Sequence, residues 1–174
     1  SHEDLAHIAV KNHDNALVND HAHLQQEITV EDALGAPEIA SPFTLYDSCP
    51  ISDGASALVL TSPEYAADHD LEASVAITGA GHGGDTMALH DRQSLSRTPA
   101  TREAAEEAYD DADIEPSDIS LVEVHDCFTI AEVLALEALG LYSHGEAIGA
   151  ARRGETRRDG ELPVNLSGGL KAKG

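Results

Sequence analysis

Basic residues are scarce in this sequence. The chain of 174 residues carries 10 Lys and Arg against 32 Asp and Glu, a formal charge of −22. That balance excludes a protein built to grip nucleic acid, because phosphate binding needs clustered cations. Lysine occurs only at Lys11, Lys171 and Lys173. Aromatic residues make up 3% and tryptophan is absent. The two cysteines, Cys49 and Cys127, are too few and too far apart for a disulfide framework. No apolar run approaches the ~20 residues of a membrane span. Residues 1–20 lack the basic, apolar and small-residue regions of a secretory leader. The expectation is a soluble, cytoplasmic protein with no nucleic-acid or membrane partner.

What is present is enough apolar material for a core, at 41% of residues, much of it Ala. The acids are spread along the whole chain. An even acidic coat solvates a protein but repels itself at low salt, and salt screens that repulsion. This pattern points to a halophilic cytoplasm. The plainer reading is a solvated acidic surface.

Spacing predicts a helix over 3–16, with Ser1 and Asp4 as a capping box and Leu5, Ile8 and Ala9 on one face. Thr29 and Asp32 repeat the spacing before Gly35. Residues 36–53, with Pro37, Pro42 and Pro50, read as a loop with short extended pieces. Strands are expected at Gly54–Leu60, Ala73–Gly79, Leu121–Val124 and Leu162–Leu166. Helices are expected from Pro63, from Pro99 to about Ala112, from Thr129 to Leu139 before Gly140, and over Ser143–Ala151. This alternation favours a layered α/β fold.

Four features invite a chemical reading. Gly79-Ala80-Gly81-His82-Gly83-Gly84 fits GxGxxG, but no helix opens at its glycines to aim amides at a pyrophosphate. A flexible glycine-rich loop is the better reading. His21 and His23 lie close together without the further ligands of a zinc site, so no metal site is expected. Asp110-Asp111-Ala112-Asp113 lacks the glycine of a calcium loop, because Pro116 stands in its place. His125-Asp126-Cys127-Phe128 is the sharpest feature. It joins an expected strand to a helix start, where α/β proteins place reactive groups. A helix N-terminus and a neighbouring imidazolium both favour a thiolate. A buried, inert Cys beside a core His fits the same residues.

Three stretches carry a resemblance: Ser52-Asp53-Gly54-Ala55-Ser56-Ala57, then His125 to Phe128 (HDCF), then Asn165-Leu166-Ser167-Gly168-Gly169 running into Lys171-Ala172-Lys173-Gly174. In this order they resemble the thiolase family, in particular archaeal acetyl-CoA acetyltransferases and sterol-carrier-protein thiolases. The resemblance covers essentially the whole chain. It implies a layered αβαβα fold and acyl transfer through a Cys acyl-enzyme, forming or cleaving acetoacetyl-CoA. It implies Cys127 as the acid/base at the substrate α-carbon. His125 would help form an oxyanion hole by orienting a water. Asn165, Gly168 and Gly169 would line the coenzyme A site, with Cys49 near a coenzyme A-binding loop. Coenzyme A is a substrate, and no covalently bound cofactor is implied.

The family's nucleophilic Cys would lie upstream of these residues, and the His of its GHP motif would follow Gly174. The chain therefore reads as a central-to-C-terminal fragment, inactive alone, with unpaired strand edges and exposed apolar surface. Residues 1–72 would hold the end of the loop region and the last part of the N-terminal half. Residues 73–174 would hold a truncated C-terminal half. The resemblance also implies a homo-oligomer, dimer or tetramer, beside a zinc-ribbon/OB-fold partner and hydroxymethylglutaryl-CoA synthase. Alternative readings are a 3-ketoacyl-CoA or sterol-type thiolase, a thiolase-like aldolase, and a non-catalytic scaffold.

Overall fold

The computed structural model describes residues 1–72 and 75–174. Helix α1 (His2–Ala16) is its centre. The hydroxyl of Ser1 accepts from the Asp4 N–H, and the Asp4 carboxylate returns the bond, completing the expected capping box. From Leu5 onward α1 is buried almost all round, because α2, α5, α6 and α7 all pack on it. Thr29 caps α2 (Val30–Gly35) in the same way. The loop that follows carries a hairpin of β1 (Glu38–Ala40) and β2 (Phe43–Thr44). A short 3₁₀ turn, Leu45–Asp47, leads toward Cys49.

Helix α3 (Pro63–Asp68) is capped by Ser62, with Pro63 at its first position. Helix α4 (Pro99–Ala112) ends where Asp113 turns left-handed. Helix α5 (Thr129–Ala138) stops before Gly140, whose φ of +75° suits glycine. Helix α6 (Ala147–Arg153) starts later than the expected Ser143 and ends at Gly154. Helix α7 (Gly169–Ala172) is a single turn. The main core joins Leu5 and Ile8 of α1, Val133 and Leu136 of α5, Ala147 and Ala151 of α6, and Val164.

The expected strands are where the structure departs from the sequence reading. Gly54–Leu60 forms no ladder among the described residues, and Leu58 and Val59 are 80% and 94% exposed. Of Ala73–Gly79, Ala73 and Ser74 lie outside the described residues, and 75–79 form no ladder. Leu121–Val124 and Leu162–Leu166 shrink to one parallel bridge, Val122 to Val164. The physical reason is the lack of neighbours. A strand is defined by its ladder, and among the described residues these segments form at most one bridge pair.

Residues 79–84 are also not the flexible loop expected of them. They run extended along α4. A Cβ at Gly79, Gly81 or Gly83 would overlap the carbonyl oxygen of Ala108, Ala104 or Ala100 respectively. The alternate residues Ala80, His82 and Gly84 donate their N–H groups to Asp111, Glu107 and Glu103. Two strand residues advance about 6.6 Å and four helical residues about 6 Å. A period of two in the glycines therefore keeps step with a period of four on the helix.

Candidate active site

The segment 125–128 leaves the Val122 bridge and enters α5. Its burial alternates: His125 is exposed, Asp126 fully buried and Cys127 half-buried. Asp126 is the anchor. Its carboxyl accepts from Leu170 N at 2.7 Å, Lys171 N at 3.3 Å and Asn12 Nδ2 at 2.7 Å. Burial, with the neighbouring charge of Glu132, raises its pKa, and the α7 amides pull the other way. A Cβ at Gly169 would overlap the Asp126 carboxylate, so this approach requires glycine there.

Asn165 holds the other side of the loop. Its φ is +54° and it is fully buried. Its Oδ1 accepts from Val124 N at 2.8 Å, and its Nδ2 donates to Glu132 at 2.9 Å. Gly168, at φ +102°, lies against Ala16 of α1. Asn165, Gly168 and Gly169 are thus all buried, and they clamp the loop to α1 and α7. Glu132 is the hub beneath them. It takes bonds from Lys11, from Asn12 and from Asn165, and Lys11 also donates to the Val164 carbonyl.

Cys49 comes to the same place from the other direction. Its N–H donates to the Cys127 carbonyl at 3.0 Å. Lys171, 2% exposed, donates to the Ser48 carbonyl at 2.8 Å and lies over the Tyr46 ring. Burial pulls the Lys171 pKa down to about 8, against the attraction of Asp126, Asp47 and Cys49. Asp47 accepts from Thr129 Oγ1 at 2.7 Å and from Thr44 N at 2.8 Å, and it pairs with His2. Burial pushes its carboxyl up, but these bonds outweigh burial and leave it below the usual range. His125 is exposed. It lines a cleft of ≈ 400 Å³ with Thr98, Thr101, Glu123, Leu134 and Ala135.

Four of the six site residues expected from sequence are thus tied to the HDCF loop, Cys49 and Asn165 by direct backbone contact. Gly168 and Gly169 are tied through α7 and Asp126. The structure adds Lys11, Asn12, Asp47, Asp126, Glu132 and Lys171, whose importance composition does not show. The signals in the sequence were Lys11 and Asn12 lying amid the apolar positions of α1, and Asp126 and Lys171 lying inside the HDCF and 165–174 stretches.

The model of the "Thiolase C-terminal domain-like" family matches residues 81–174. The chain belongs to the thiolase family. It is 44% identical over 172 residues to an acetyl-CoA acetyltransferase of Methanothermobacter thermautotrophicus, covering 99% of this chain and 45% of the relative. It is 38% identical to the acetyl-CoA acetyltransferase of Methanocaldococcus jannaschii, with the same coverage. Among solved structures, an Ltp2-ChsH2(DUF35) aldolase superposes with a TM-score of 0.92 at 32% identity, over 99% of this chain and 46% of that one. The thiolase-like α/β fold follows. The chain spans less than half the length of each of these relatives. Among its described residues, no helix is long and apolar enough to cross a membrane.

Proposed function

We propose that this chain is part of a thiolase-type acyltransferase, an acetyl-CoA C-acetyltransferase that forms or cleaves acetoacetyl-CoA. Residues 1–72 belong to the end of its loop region and N-terminal half, and residues 73–174 to its C-terminal half. The observation that carries the reading is the anchored HDCF loop. Asp126 is buried and bonded on three sides, while His125 and Cys127 on either side of it stay accessible.

In this reading Cys127 Sγ takes the proton from the α-carbon of the acyl thioester, and the electron pair moves onto the thioester oxygen. His125 stabilises that enolate oxygen, by resemblance through a water. The N-terminus of α5 favours negative charge beside it. Asn165, Gly168 and Gly169 shape the coenzyme A site by fixing the backbone around the loop, and Cys49 pairs with it. The acyl-accepting Cys and the GHP His would come from residues beyond these 174. The chain alone therefore turns over no substrate. Coenzyme A is a substrate, and no metal takes part.

The full enzyme would work in the cytoplasm of a halophile as a homo-oligomer, with a zinc-ribbon/OB-fold partner and hydroxymethylglutaryl-CoA synthase. The similar Ltp2-ChsH2(DUF35) aldolase pairs Ltp2 with a DUF35 component, which supports a partner of this kind. It also supports a second reading, a thiolase-like aldolase, which need not use Cys127. Thiolysis and condensation by the full-length protein test the proposal. Replacing Cys127 with Ala should lower both rates by ~10²–10⁴-fold. Unchanged rates would remove Cys127 from the chemistry, whereas a full-length wild type with neither activity would favour the aldolase.

A further inference from the structure

The two cysteines, 78 positions apart in sequence, meet through a backbone hydrogen bond in the fold. Ser48 and Phe128 form an antiparallel bridge. Counting one residue outward on each strand puts Cys49 opposite Cys127, and the Cys49 N–H to Cys127 carbonyl bond of 3.0 Å joins that pair. Residues directly opposite in an antiparallel pair carry their side chains on the same face. Directly opposite residues of an antiparallel pair have Cα atoms about 4.5–5.5 Å apart, within the range of about 4.4–6.8 Å that disulfides span. Both thiols are free and half-buried.

The backbones on both sides of the pair are held from one helix. Lys171 in α7 bonds the Ser48 carbonyl, next to Cys49, and the α7 amides bond the carboxyl of Asp126, next to Cys127. The Lys171 ammonium is close enough to Cys49 for a charge there to act on it.

We propose that Cys49 and Cys127 are an oxidisable pair that closes to an intrachain disulfide under a peroxide and reopens with a thiol reductant. One thiol gives up its proton, the thiolate attacks a peroxide oxygen, the O–O bond breaks, and the sulfur becomes a sulfenic acid as the departing hydroxide takes up that proton to leave as water. The second thiolate displaces the hydroxyl, which leaves as water when protonated, and the S–S bond forms. Two thiols and one hydrogen peroxide give one disulfide and two waters. Closure removes the sulfur that carries the α-carbon proton. That consequence rests on the acid/base reading of Cys127, whereas formation of the bond does not.

The test treats the full-length protein with hydrogen peroxide, blocks remaining thiols with N-ethylmaleimide, and maps peptides by mass spectrometry. The expected result is a peptide linked through Cys49 and Cys127 within one chain, absent after dithiothreitol. In Cys49→Ser the linked peptide is lost, and dimedone labels a sulfenic acid at Cys127. Independent alkylation or over-oxidation of the two sulfurs, or a link found only between chains, overturns the proposal. If Cys127→Ala keeps its activity while the wild type forms the link, the acid/base reading fails and the oxidisable pair stands.

Discussion

Around α1, Lys11, Glu132, Asn165 and Lys171 are at most 2% exposed, whereas Ile51, Leu58 and Val59 are 80% exposed or more. The charged and polar group lies inside because each member has partners: Glu132 gathers three donors, and Asp126 meets two backbone amides and Asn12. The apolar group lies outside because the extended segments that carry it have no ladder among the described residues. Hydrophobicity alone therefore predicts burial in neither region. Partner supply decides it, and Gly54–Leu60 has no ladder partner among the described residues.

The largest effect that could break this contrast is expected at Glu132. Replacing it with Ala leaves Lys11 buried and unpaired, which should cost about 3–5 kcal/mol in urea unfolding. Replacing both, Lys11→Met with Glu132→Leu, should cost much less than the single change. A single variant as stable as the wild type would show that the interior pair does not hold α1 to α5.

Next comes Lys171. Its pKa is about 8 in the folded chain, against an ordinary 10.5. Between those values the unfolded chain holds the proton that the folded chain has released. The unfolded state then binds more protons, so stability rises with pH across that window. The gain is at most about 3 kcal/mol. Unfolding measured from pH 7 to 11 should show a rise in the wild type that is missing in Lys171→Met. Parallel curves would place the ammonium in solvent.

Gly169→Ala drives a methyl group into the Asp126 carboxylate at φ +60°, and should cost about 1–3 kcal/mol in thermal unfolding. Gly35→Ala meets nothing within 4 Å and is the matched control, expected to be neutral or slightly stabilising. The smallest effect belongs to the exposed region. Val59→Ser should change the stability of this chain by no more than about 0.5 kcal/mol. A larger loss would mean that the apolar segment is covered.

Much of the helical frame was legible from local signals. Ser1 with Asp4, Thr29 with Asp32, Ser62 with Pro63, and Gly140 each mark a helix end that the structure keeps. Capping chemistry is local, so a sequence displays it. Strands were not legible to the same degree, because a ladder needs a second segment and Gly54–Leu60 finds none here. The glycines at 79–84 could be cleared of nucleotide binding, but not matched to Ala100, Ala104 and Ala108. That match depends on two periods in different segments. At the site, HDCF stood out by its place before α5. Asp126 and Lys171 lay inside stretches that stood out, but their burial as anchors was not visible, and Glu132 looked like any of the chain's charges until the fold enclosed it.

The most direct test of the proposed chemistry is deuterium exchange at the acetyl α-carbon of acetyl-CoA, in deuterium oxide, with the full-length protein. Proton abstraction by Cys127 predicts exchange by the wild type and a loss of ~10²-fold or more in Cys127→Ala. Exchange by Cys127→Ala at the wild-type rate would contradict it.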